Sequence, residues 1–188
     1  MYKLISTLII LVVTSQIHSQ VVAPETHNLD TGKSILHWKG SYVFNVSEHN
    51  GEVYFKDGYL NSINDNVIGG SFTIDMTSIT NEDHLHNRGP VTHLKDEDFF
   101  YIEKYPEASL TITSIEYFEN TNTHEVFADL TIKEVTKNIK FYATIDGEAK
   151  TFKAHFKIDR TRWGITYNNE VKNRAISEAI EFKADLHF

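Results

Sequence analysis

The 188-residue chain contains no cysteine, so no disulfide can staple its fold and no thiol can act as nucleophile or soft metal ligand. Three prolines and nine glycines are too few and too scattered to form a linker or a low-complexity tract, and nothing divides the chain into separate domains. Positive charge is in deficit: 18 Lys and Arg face 26 Asp and Glu, a formal net charge of −8, with the cations scattered rather than striped. That balance disfavours nucleic acid and anionic membrane surfaces as partners. The N-terminal apolar run, Leu4 to Val13, is broken by Ser6 and Thr7 and falls well short of the ~20 residues that span a bilayer. Also missing are Gly-x-Ser-x-Gly, His-Glu-x-x-His and a phosphate-cradling glycine loop, which removes the common enzyme templates.

What the N-terminus does contain is Met1-Tyr2-Lys3, then the apolar run, then small and polar residues, the tripartite pattern of a secretory signal. Cleavage after Ser15 or after Ser19 fits the requirement for a small residue before the cut. The second is preferred, giving a signal peptide over residues 1–19, a domain over 20–188 and a periplasmic or secreted protein. A short membrane anchor is the alternative, and the length of the run argues against it. No cysteine follows for lipid attachment, so no stable membrane insertion is expected; loss of Lys3 would take the formal charge from −8 to −9.

After about Ile35 apolar and polar residues alternate, the signature of strands with one buried face. Eight segments do so, approximately 35–43, 52–61, 66–78, 109–118, 124–134, 138–146, 151–160 and 178–188, with turn signals at Asn50-Gly51 and Asp146-Gly147. At the C-terminus Ile180, Phe182, Ala184, Leu186 and Phe188 share one face, while Glu181, Lys183, Asp185 and His187 share the other. The expected fold is all-β, an eight-stranded antiparallel meander closed into a barrel, because closure removes the aggregation-prone edges. One segment, 92–106, breaks the alternation. Phe99, Ile102 and Tyr105 recur every three residues, Thr92 or Asp96 can cap, and Pro106 terminates, so it predicts a short helix across a barrel opening.

Inward phases fall to Val53, Phe55, Phe72, Ile74, Met76, Leu110, Ile112, Leu130, Ile132, Phe141, Phe152, Ala154, Phe156 and Phe182. An eight-stranded barrel either fills with such side chains or keeps room for one ligand, and the residues alone favour filling. Among titratable groups, His84, His86 and His93 beside Glu82 and Asp83 have types that could ligate Zn²⁺, but His-x-His is common in loops and no second strand-borne ligand is implied, so no metal is assigned. His49 suits a structural role beside a glycine turn or contact with a ligand head group. Asp159 and Arg160 suit a charged pair at the barrel rim, and Glu103 and Lys104 solvated contacts on the helix. A pocket enzyme using His49, His93 or Glu103 as base stays open as an alternative. The sequon at Asn45-Val46-Ser47 matters only in a glycosylating host.

His93-Leu94-Lys95, Asp98-Phe99-Phe100 and Glu103-Lys104-Tyr105-Pro106 together resemble the HLKxxDFFxxEKYP motif of the YceI family. Ala128–Lys137 is similar to that family's G-x-L-T-I-K-G-V-T-K segment, Ile158–Ile165 to its I-D-R-T-x-[FW]-G-I, and His49-Asn50-Gly51 to its H-x-G. Glu134 and Asn138 depart from the usual Gly and Pro of the turn at 134–138, and the loop 81–90 is only loosely similar. The resemblance implies a lipocalin-like barrel with one helix, exported in bacteria, that holds a polyisoprenoid-type lipid without catalysis and with no cofactor besides that lipid. It turns the inward residues into a lumen lining, with His49, His93, Phe99 and Phe100 as candidates for the head group or lid. Whether two copies form a homodimer stays open.

Overall fold

The computed structural model describes residues 22–42, 48–81, 90–166 and 176–188. The expected signal sequence, the sequon, His84, His86, Glu82 and Asp83 therefore lie outside the described residues. Among the described residues there are nine strands: β1 (Glu25–Asn28), β2 (Ile35–Tyr42), β3 (Glu48–Ile63), β4 (Asn66–Asp75), β5 (Glu107–Phe118), β6 (Thr123–Ile132), β7 (Val135–Asp146), β8 (Thr151–Asp159) and β9 (Ile176–His187). All eight expected strands are among them. β2 to β9 pair antiparallel with their neighbours, β2 pairs with β9, and the barrel is closed on itself. β1 was not expected. It is a four-residue edge that pairs with the far half of the long β3, from Glu25↔Ser62 to Asn28↔Tyr59.

Closure makes the side-chain alternation decisive, since each inward residue meets the facing wall rather than a second sheet. Val126, Ala128, Leu130 and Ile132 are buried on β6, as are Ile139, Phe141 and Ala143 on β7. One barrel end is sealed by apolar side chains, with Phe72 packed edge-on between Phe55 and Phe188. The opposite end receives the β4–β5 connection, the β6–β7 hairpin and the chain leaving β8.

Two expectations need correction. Asn50-Gly51 is not a turn but lies within β3, paired with Lys39 and Trp38 of β2. Glycine is required there by a close approach: a Cβ on Gly51 would stand 1.9 Å from the Thr80 carbonyl oxygen. That segment lies against the strand through Thr80 N–H to Glu52 O (2.8 Å), and Trp38 Nε1 donates to Thr80 O (3.0 Å). The helix expected over 92–106 is shorter and earlier, α1 (Pro90–Lys95), followed by tight turns. Tyr101, at φ 49, sits in the left-handed region that a helix interior excludes. Phe99 and Phe100 are consequently both buried, edge to face at 4.9 Å, instead of lying on different helix faces.

The hairpin at Lys133-Glu134 survives the loss of glycine. Its two residues take φ 51 and 63 and close a two-residue turn between Ile132 and Val135, the geometry that suits the strand twist. Lys133 Nζ also donates to Phe99 O at 2.9 Å, which ties this hairpin to the lid.

Candidate functional site

The barrel encloses a cavity. The space open to the centre of a water molecule is about 150 Å³, and all atom-free space between the lining side chains, mouth included, is about 1420 Å³. The first figure describes the tight interior and the second bounds what the interior and its mouth could hold together. A cavity near 150 Å³ with apolar walls is large enough for a benzene-sized group and stays dry when empty. Here the walls extend from Phe72, Phe152 and Leu186 near the sealed end to Phe99, Phe100 and Arg160 at the lidded end, so the space is elongated.

Thirteen of the fourteen residues read as inward from the sequence line this cavity; Ile112 is buried in the core but does not reach it. Phe99, Phe100 and His49 also line it. His93 does not: it is exposed on α1, with Nδ1 3.8 Å from Asp96 Oδ2, since α1 turns Leu94 inward in its place. Glu103 is likewise exposed. Sequence reading missed the β2 contribution, Leu36, Trp38, Gly40 and Tyr42, although its alternation gave the signal. Gly40 faces His49 across the β2–β3 ladder, and a Cβ at Gly40 would touch nothing within 4 Å. Tyr42 meets the same imidazole edge-on at 5.8 Å.

Arg160 is the largest departure from expectation. Asp159 does not tie it to the rim; its Oδ1 accepts from Thr161 N (2.9 Å) and Thr161 Oγ1 (2.6 Å), starting a 3-10 turn over Arg160–Trp163. The Thr161 hydroxyl is the main reason that the Asp159 carboxyl is held below its ordinary pKa. Gly164, at φ 67, ends the turn in the left-handed conformation that glycine adopts without strain. The turn buries Trp163, whose Nε1 donates to Leu130 O at 3.1 Å, and swings Arg160 inward until it is wholly buried. Its guanidinium donates to the carbonyls of Ile165 and Ser177 and lies 5.9 Å from the Phe99 ring centre.

Polar groups thus gather at one end: Ser41, Tyr42, His49, Arg160 and Ser177 line the lidded part, and the remaining walls are apolar apart from the Trp38 indole nitrogen, which is satisfied by Thr80. Among the described lining residues the ionisable groups are Tyr42, His49 and Arg160. No group of three or more His, Asp or Glu suited to a metal occurs among the described residues.

A closed eight-stranded antiparallel barrel with an elongated apolar lumen and a polar end defines a lipocalin-like barrel. The comparisons specify which. A sequence model of the YceI-like domain matches residues 27–188, and the chain belongs to the YceI family. A UPF0312 protein of Pseudomonas putida (strain W619) is 40% identical over 58 residues, 31% of this chain and 30% of that protein. A UPF0312 protein of Photorhabdus laumondii is 40% identical over 58 residues, 31% of this chain and 29% of its own length. The matched segment therefore spans under a third of these curated relatives. Burkholderia cenocepacia BcnA has the same fold, with a TM-score of 0.70 at 18% identity over 84% of this chain and 98% of BcnA. A Campylobacter jejuni YCEI protein follows at a TM-score of 0.53 and 24% identity, over 70% and 81% of the two chains.

Proposed function

We propose that this protein is an exported, non-catalytic carrier that holds one long-chain apolar lipid of isoprenoid type in the barrel lumen, for transport, storage or sequestration. The observation that carries the reading is the cavity itself, elongated, apolar for most of its length and polar only at the lidded end. Such a shape suits a single slender tail with one head group better than a compact substrate. Each tail CH₂ removed from water contributes about 0.8 kcal/mol, and Phe141, Phe152, Phe156 and Phe182 offer rings along the tail. His49, Tyr42 and Arg160 are the groups available to a head group.

The same geometry disfavours catalysis in the lumen. General acid–base chemistry needs a positioned proton donor or acceptor beside the reacting atom; of the three candidate bases, Glu103 and His93 stand outside, and His49 lines the lumen with no carboxylate among the described lining residues to work with it. The signal sequence over residues 1–19 supports delivery to the periplasm or exterior, with residues 20–188 as the working domain. No described helix is long and apolar enough to cross a membrane. The test is native mass spectrometry of protein purified from its own host without detergent. A stoichiometric adduct of long-chain isoprenoid mass is expected. Bare protein that also fails to take up added polyprenol would refute the reading.

A further inference from the structure

The barrel wall is not equally closed around its circumference. β6 and β7 pair along their whole length, from His124↔Ala143 to Ile132↔Val135, and β8 and β9 pair from Thr151↔His187 to Asp159↔Ala179. Between β7 and β8 the ladder contains only Ala143↔Ala154, Thr144↔Lys153, Ile145↔Phe152 and Asp146↔Thr151. Both strands continue toward the lidded end without pairing each other, β7 from Tyr142 back to Val135 and β8 from His155 on to Asp159.

The outer side chains divide along the same line. Lys140 and Tyr142 on β7 bond Glu125 on β6, at 2.7 Å each. On β8, His155 and Lys157 bond Glu181, and Lys153 bonds Asp185, all toward β9. None of these contacts crosses the gap. At the rim Arg162 Nη2 reaches Asn138 O at 3.2 Å. Inside, the gap is covered by rings: Phe141 stacks on Phe156 at 4.8 Å, and Phe156 meets Phe182 at a tilt, 5.5 Å between ring centres. Where the ladder stops, Ala154 and Ala184 line both the lumen and a groove on the outer surface.

From this arrangement we infer that the β7–β8 seam is a side portal, through which the tail of the ligand passes into the lumen. Opening any fully laddered seam breaks a row of backbone hydrogen bonds, whereas opening this one displaces ring contacts and one rim bond. The ring pair Phe141–Phe156 is the latch. Because those rings also line the lumen, an entering chain replaces ring–ring contact with ring–chain contact and leaves no apolar surface newly exposed. The inference rests on the lipid-carrier reading, and its test separates the two.

The chain has no native cysteine, so paired substitutions report cleanly. In Tyr142→Cys/His155→Cys the new thiols stand one rung beyond the last ladder pair, both on exposed positions outside the lumen; Thr144→Cys/Lys153→Cys bridges a rung already paired. The probe is a fluorescent polyprenol analogue in phosphatidylcholine vesicles, with transfer from Trp38, which lines the lumen, read by stopped flow. Oxidation of the 142/155 pair should slow entry and exit together by about tenfold or more, leaving affinity within about twofold. The 144/153 bridge should leave both rates within about twofold of the reduced form. Equal rates in oxidised and reduced 142/155 protein would assign entry to the barrel end and overturn the portal. Absence of uptake by the unmodified protein would overturn the carrier reading, and the portal with it. Amide hydrogen exchange provides a readout free of cross-linking: β7 and β8 amides facing the gap should exchange well before those of the β5–β6 ladder. Equal protection would count against the portal.

Discussion

Replacing Ala154 by Trp separates a lumen that holds a ligand from one that only fills itself. Ala154 faces inward between Phe152 and Phe156 on β8, and its ladder partners on both sides are alanines, Ala143 and Ala184. An indole projected from this position meets methyl groups laterally and the ring-lined cavity ahead. The roughly 150 Å³ of interior space is of the size that accepts a six-membered aromatic ring, so the indole occupies it without displacing the walls. The empty variant should therefore stay within about 1 kcal/mol of the wild type, whereas forcing a ring into a filled core costs about 1–3 kcal/mol. Ligand binding at a hundredfold excess over Kd adds about 2.7 kcal/mol to the wild type. For a domain of this size that corresponds to a rise in Tm of about 5–11 °C. Thermal melts of both proteins, with and without polyprenol, provide the assay. The expected pattern is a wild type raised by lipid beside a folded Ala154→Trp variant indifferent to it. Strong destabilisation of the variant before lipid is added would refute the argument and favour a filled barrel.

Gly51→Ala should destabilise the barrel by about 3 kcal/mol, because its Cβ would collide with the Thr80 backbone; chemical denaturation measures it, and an unchanged midpoint would show that the 79–81 segment can move away. Stability should also fall in acid. Burial depresses the pKa of His124 below its ordinary 6.5, so the unfolded chain takes up that proton first and stability declines as pH falls through about 6.5. Glu125 is held below its ordinary 4.5 by Lys140, and Glu181 by His155. Their contribution is fully present above 4.5 and disappears as pH drops toward the depressed folded values, so Glu181→Gln should flatten the acid limb of a Tm–pH curve. A chelator should leave both Tm and lipid uptake unchanged, and a marked fall in Tm on adding one would restore a metal role for the histidines near residue 90.

Period-two alternation was enough to find β2 to β9, because burying one face of a strand imposes that period locally, whatever the strand pairs with. It also placed Phe55, Phe72, Phe152 and Phe156 on the inner wall. The family motifs carried the same message from a different direction, through the residues flanking the lid and the β8 turn. Tertiary structure alone decided the rest. Asn50-Gly51 has the chemistry of a turn, yet Gly51 is fixed by Thr80, a neighbour that becomes adjacent only when the chain folds back over β3. Arg160 reads as one half of a rim charge pair with Asp159 and becomes a buried cavity wall because the Thr161 cap and Gly164 turn the chain inward. The shortened β7–β8 ladder has no counterpart in the composition of either strand. Alternation fixes which face of a strand is apolar; how far two strands remain close enough to bond depends on the twist, closure and side-chain filling of the whole barrel.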